Sequence, residues 1–124
     1  MKYILVAAAL LVATLVPTTA TAQVGACVVP GICLHSGPGN DVINGGPGND
    51  CIFGGGGNDQ ISGNGGHDNL HGEDGDDVLR GGSGNDCIWG EQGDDVLYGG
   101  PGNDNLVGGP GNDVCIDGGV AYFC

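Results

Sequence analysis

Basic residues are almost missing from this chain. Lys2 and Arg80 stand alone against 15 acidic residues, and the formal net charge is −13. That balance argues against nucleic acid and anionic membrane as partners and for cations. Long apolar runs are also scarce. The clearest, residues 3–16, is 14 residues long, short of the ~20 that a spanning helix needs, so stable membrane insertion is not expected. Catalytic constellations are missing too. Ser36, Ser62 and Ser83 have no base and acid placed for a triad. No carboxylate couple stands apart as in a glycosidase. His35, His67 and His71 could suggest zinc, but the last two fall on a turn and a strand, where an i, i+4 spacing has no helical meaning. At 124 residues the chain is at most one domain, with no room for a separate catalytic one.

The opening segment, 1–22, is unlike the rest. Lys2 gives a positive start, Pro17 breaks the apolar run, and Ala20-Thr21-Ala22 supplies a small-x-small cleavage site. Segment 1–22 therefore reads as a secretory signal peptide, cut after Ala22. A lipoprotein signal is the weaker reading: Val24-Gly25-Ala26-Cys27 loosely resembles a lipobox but lies too far from the apolar run. Cleavage leaves 15 acids against the single base Arg80, a net charge of −14. Six cysteines in so small a secreted chain point to an oxidising compartment and disulfides.

What the chain has in abundance is glycine, 29 in all, in register. Residues 36–116 divide into nine nonapeptides without insertion or loss: SGPGNDVIN, GGPGNDCIF, GGGGNDQIS, GNGGHDNLH, GEDGDDVLR, GGSGNDCIW, GEQGDDVLY, GGPGNDNLV and GGPGNDVCI. The fourth place is always Gly, from Gly39 to Gly111. The sixth is always Asp: Asp41, Asp50, Asp59, Asp68, Asp77, Asp86, Asp95, Asp104 and Asp113. The eighth is Ile or Leu in eight copies and Cys115 in the ninth. The first six places are turn chemistry, because Gly supplies positive φ and Asn or Asp tolerates it. The last three alternate as a very short strand. Asn64, Glu73 and Glu91 replace Gly at the second place and are strained if that place needs positive φ.

The pattern G-G-x-G-x-D-x-U-x resembles the RTX (repeats-in-toxin) nonapeptide, over about two-thirds of the chain. The resemblance implies an all-β fold, a parallel β-roll in which two nonapeptides make one coil and every second copy stacks. Residues 23–35 and 117–124 then become N- and C-terminal caps around a roll of residues 36–116, with Tyr122 and Phe123 covering the last rung. Ile43, Ile61, Leu79, Leu97 and Cys115 point inward from one sheet. Leu34, Ile52, Leu70, Ile88 and Leu106 do so from the other, joined at the end by Cys124. So thin a core needs further support. The resemblance supplies it as calcium, held between stacked turns by Asp carboxylates and turn carbonyls. The aspartates form two columns, odd-numbered copies on one edge and even-numbered copies on the other. Bare carboxylates stacked ~5 Å apart repel by about 3 kcal/mol per pair at an effective dielectric of ~20. A hard divalent cation reverses that sign, and calcium suits irregular oxygen cages better than magnesium does. The two columns offer up to about seven complete gaps. An EF-hand is not a competitor: Asp74-Gly75-Asp76 begins like one, but Val78 occupies a ligand position.

The reading that follows is a secreted calcium-binding roll that folds on calcium, with a structural or interaction role and no catalysis. The alternative is an extracellular adhesion or matrix module that binds a glycan or protein partner through an exposed stripe of Phe53, His71 and Trp89. The implied register also sorts the cysteines. Cys33 and Cys51 lie on adjacent rungs, and Cys115 and Cys124 meet at the C-terminal cap. A rival pairing joins Cys27 to Cys33. In either scheme Cys87 is expected to be unpaired within the monomer.

Overall fold

The computed structural model describes residues 2–5 and 33–124. The signal-peptide assignment beyond Leu5 and the cap assignment for residues 23–32 lie outside the described residues. Twelve strands and no helix are present among those described. They are β1 (Lys2–Leu5), β2 (Leu34–His35), β3 (Asp41–Pro47), β4 (Cys51–Gly56), β5 (Gln60–Gly65), β6 (Asn69–Asp74), β7 (Val78–Ser83), β8 (Cys87–Gln92), β9 (Val96–Tyr98), β10 (Asn105–Val107), β11 (Val114–Asp117) and β12 (Val120–Phe123). They form two sheets, ordered β1-β3-β5-β7-β9-β11-β12 and β10-β8-β6-β4-β2. The chain is an all-β parallel solenoid of about five turns. Partners such as Ile43↔Ile61, Ile61↔Leu79 and Ile52↔Leu70 fix the stacking repeat at two nonapeptides.

The middle strands are longer than the three-residue strands that the sequence suggests. β4 to β8 each run to six, because second and third places pair as well: Gly55↔Glu73 and Gly56↔Asp74. The second place takes positive φ in every copy, so the chain turns its corner while still hydrogen-bonded to its neighbours. Between the sheets lies one file of apolar side chains. Ile43, Ile52, Ile61, Leu70, Leu79, Ile88, Leu97 and Cys115 are buried, with the partly buried Leu34 and Leu106 against them. Only one side chain per copy reaches this core, which leaves little volume for apolar burial.

The two ends differ. Lys2–Leu5 lies parallel to β3 at one edge of the first sheet. At the other edge β12 runs antiparallel to β11, breaking the parallel stack, and Cys124 is bridged back to the buried Cys115 with Cα atoms 5.8 Å apart. Phe123 does not cover the last rung: it is 87% exposed, because the antiparallel return turns it to solvent. Cys124 is likewise exposed, tethered to the core file without joining it. Cys33 and Cys51 are bridged across adjacent rungs with Cα atoms 4.6 Å apart. Cys87 is disulfide-bonded as well. The expectation that it is unpaired is therefore corrected. Its neighbours in the register are Asn69 and Asn105, so rung spacing between cysteines could not reveal this bond.

Candidate metal centre

Each sixth-place aspartate sits where a turn re-enters a strand, with its carboxylate inside the turn. Asp41, Asp59, Asp68, Asp77, Asp86, Asp95 and Asp113 are each at most 4% exposed. One oxygen of each interior carboxylate is used by the backbone. The N–H of Asp41 donates to Asp59 Oδ1 at 2.8 Å, Asp59 to Asp77 at 2.7 Å, Asp77 to Asp95 at 2.8 Å and Asp95 to Asp113 at 2.9 Å. The other column repeats this through Asp50, Asp68, Asp86 and Asp104. Each aspartate thus serves the rung before it.

The fifth place runs the opposite way. The N–H of Asn58 donates to Asn40 Oδ1, that of Asp94 to Asp76 Oδ1 and that of Asn103 to Asn85 Oδ1, each onto the preceding rung. His67 keeps this ladder intact. Its Nδ1 accepts from the N–H of Asn85 at 2.8 Å, so the ring proton sits on Nε2. Sequence reasoning assigned His67 no role. The signal was its position, since an imidazole nitrogen can replace an amide oxygen as acceptor.

The second carboxylate oxygens are left over. Oδ2 of Asp41, Asp50, Asp59, Asp68, Asp77, Asp86, Asp95 and Asp104 is buried without a hydrogen-bond partner. Buried charged oxygens without partners are costly, so these eight want a proton or a cation. Burial accordingly pushes pKa values up. Asp68 and Asp77 are raised to about 7 and Asp95 to about 6, against a partial opposing effect of the backbone N–H bonds. Asp50, Asp59, Asp86 and Asp104 are raised for the same first reason.

The first-place glycines make room for these oxygens. A Cβ on Gly72 would lie 2.3 Å from Asp77 Oδ2 and 2.6 Å from the carbonyl oxygen of Gly90 on the next rung. At Gly54 the corresponding contacts are Asp59 Oδ2 at 2.5 Å and Gly72 O at 2.7 Å. At Gly63 they are Asp68 Oδ2 at 2.0 Å and Gly81 O at 2.8 Å. An orphaned carboxylate oxygen and a carbonyl of the neighbouring rung therefore face one spot that no side chain can enter. Hard oxygens of this kind, charged and neutral together, fit calcium. This first-place requirement was missed in the sequence, although Gly fills the place in every copy after the first. The fourth place is constrained otherwise. From Gly39 to Gly93 its φ lies between +115° and +141°, and a Cβ on Gly75 would lie 2.1 Å from Gly57 O.

The remaining candidates lie elsewhere. His35, Phe53, His71 and Trp89 stack face to face along the second sheet, with centroids 4.4–4.6 Å apart and planes within 10°. The rings spend their faces on one another and present edges outward. His71 Nδ1 also lies 2.8 Å from Glu91 Oε1. On the opposite sheet Arg80 lies over Tyr98, 5.0 Å from the ring centroid. No cluster of three His, Cys, Asp or Glu side chains able to hold a metal occurs among the described residues. Nor is any helix among them long and apolar enough to cross a membrane.

A family model described as the RTX calcium-binding nonapeptide repeat, four copies long, matches residues 34–61, 62–97 and 88–115. No curated protein and no solved structure gives a significant match. The match spans well over half of the chain. The chain belongs to the RTX calcium-binding nonapeptide-repeat family.

Proposed function

We propose that this is a secreted protein whose roll, near neutral pH, orders only when calcium neutralises its two aspartate columns, and that its role is structural or interactive. Bound calcium supplies positive charge and a demand for six to eight oxygens. The residues that meet it are Asp41, Asp50, Asp59, Asp68, Asp77, Asp86, Asp95, Asp104 and Asp113, through Oδ2, together with first-place carbonyls such as Gly72 O and Gly90 O. Seven gaps between successive aspartates of a column set the number of complete sites. The observation that carries this reading is the set of eight buried, unpartnered Oδ2 atoms. Secretion is supported by the three bridged cysteine positions outside the C-terminal cap and by the leader-like segment 1–22. Cleavage after Ala22 removes β1 and leaves β3 as the outer strand of its sheet.

Circular dichroism of the full chain tests the coupling. In chelator the expected spectrum is largely unfolded, and strand signal appears cooperatively by about 10 mM calcium, the range of weak extracellular modules. A spectrum that is the same in chelator and in calcium overturns the reading.

A further inference from the structure

The two turn edges hold unequal amounts of negative charge. In the odd-numbered turns, GEDGDD (72–77) and GEQGDD (90–95) add Glu73, Asp74, Asp76, Glu91 and Asp94 to the column residues Asp77 and Asp95. These turns are neighbours: Glu73 pairs with Glu91 and Asp74 with Gln92. The matching even-numbered turns, GNGGHD (63–68) and GGSGND (81–86), hold no acid besides Asp68 and Asp86, and carry His67. Seven carboxylates therefore lie on the two turns that flank one gap, and two on the turns that flank the other.

Acidic residues alone do not make a site, but this gap contains two further features. Asp77 and Asp95 are each at most 1% exposed and their Oδ2 atoms have no partner. Gly90 O faces the same spot as Asp77 Oδ2. The outer charges are also held close. Asp94 N–H donates to Asp76 Oδ1 at 3.0 Å, and Asp94 Oδ1 accepts from Asn112 N–H at 2.9 Å. Beyond the dominant effect of burial, Asp76 further raises both Asp77 and Asp95.

We infer that the gap between Asp77 and Asp95 is the tightest divalent-cation site on the roll, filled before the Asp68–Asp86 gap on the other edge. The inference rests on the calcium reading above. The outer carboxylates need not touch the ion. A unit charge ~8 Å from a divalent ion changes its affinity roughly 5-fold in water at low salt, and the effect fades once the Debye length falls well below that distance.

The test is calcium titration of the full chain by calorimetry in low-salt buffer, with calcium-saturated circular dichroism as a check on folding. The decisive variant is D76N/D94N. Asn occupies the fifth place in six of the nine copies, so the backbone ladder keeps its acceptors while two charges are lost. The expected result is a tightest phase weakened on the order of 10-fold, with the difference shrinking in high salt. The charge-adding variant N49D/N85D, on the even edge, is expected to leave that phase within about twofold, since its charges sit across the roll. Native-like affinity in D76N/D94N, or a tightest phase that responds more to N49D/N85D, overturns the inference while leaving calcium binding intact. Absence of any calcium uptake by the native chain overturns the calcium reading itself.

Discussion

The two edges of the roll share an inner ladder and differ in what hangs outside it. On both, a backbone N–H of one rung holds Oδ1 of the next aspartate, Oδ2 is left without a hydrogen-bond partner, and a first-place glycine makes the room. Outside, one edge carries five extra carboxylates and the other carries none, with His67 in the ladder. The contrast separates two jobs. The inner ladder sets the fold and keeps its Asp in every copy, while the outer places vary and tune the field.

The largest effect should treat the edges alike. The raised carboxylates have folded values above the unfolded one, so their contribution to stability is fully present below about pH 3.8 and is lost as pH rises through 6–7. The metal-free chain should therefore gain strand signal on acidification from about pH 7.5 to 4, with protons standing in for the cation. Circular dichroism in chelator across that range checks it, and loss of structure on acidification would contradict it.

Next come single aspartates, where position along a column should matter more than edge. Asp77→Ala and Asp68→Ala each orphan a backbone N–H, the buried one of Asp59 and the part-buried one of Asp50 respectively, and each deprives two gaps. Asp41 begins its column, and no hydrogen bond to its carboxylate is found among the described residues. In saturating calcium both interior variants should cost about 1–3 kcal/mol more than Asp41→Ala in denaturant unfolding. Equal costs for Asp77→Ala and Asp41→Ala would break the stacked register.

A smaller and matched loss is expected from Gly72→Ala and Gly81→Ala, one on each edge. Each new Cβ falls 2.3 Å from an aspartate Oδ2. Overpacking of this sort costs roughly 1–3 kcal/mol, and the same unfolding measurement should give the two variants similar values. A loss confined to Gly72→Ala would show that the inner ladders are not equivalent.

The smallest effects sharpen the outer contrast. Glu73 and Glu91 both have φ of +77°, which favours glycine. Glu91 is compensated by His71, whereas Glu73 has no hydrogen bond among the described residues. Glu73→Gly should therefore stabilise the folded roll by about 1 kcal/mol, and Glu91→Gly should be nearly neutral. The difference between the two melting temperatures is the readout.

Much of this architecture is legible in the sequence because nine copies repeat each constraint. Fixed Asp, fixed fourth-place Gly and an apolar eighth place specify turn, left-handed corner and core file. Other features escape because they depend on neighbours a full coil away along the chain. Nothing local in Gly72 announces that Asp77 Oδ2 fills the space of its missing Cβ. The stacking of Phe53, His71 and Trp89 on each other's faces requires the rung alignment first. Phe123 departs from expectation because hydrophobicity suggests burial while the antiparallel return exposes it, and Cys87 because it is bonded although its register neighbours are Asn69 and Asn105.

The opposed hydrogen-bond ladders also impose an order on assembly. A sixth-place N–H finds its acceptor on the rung made one coil later, while a fifth-place N–H finds its acceptor on the rung already made. A chain delivered from its N-terminus always ends in a rung with only its backward bonds satisfied. Each new rung closes the one before it and leaves itself open. The edge of the last rung of the first sheet is covered instead by the antiparallel strand β12, which pairs with β11 and is fastened to it by Cys115–Cys124, so the covering strand continues no ladder that a further coil could extend.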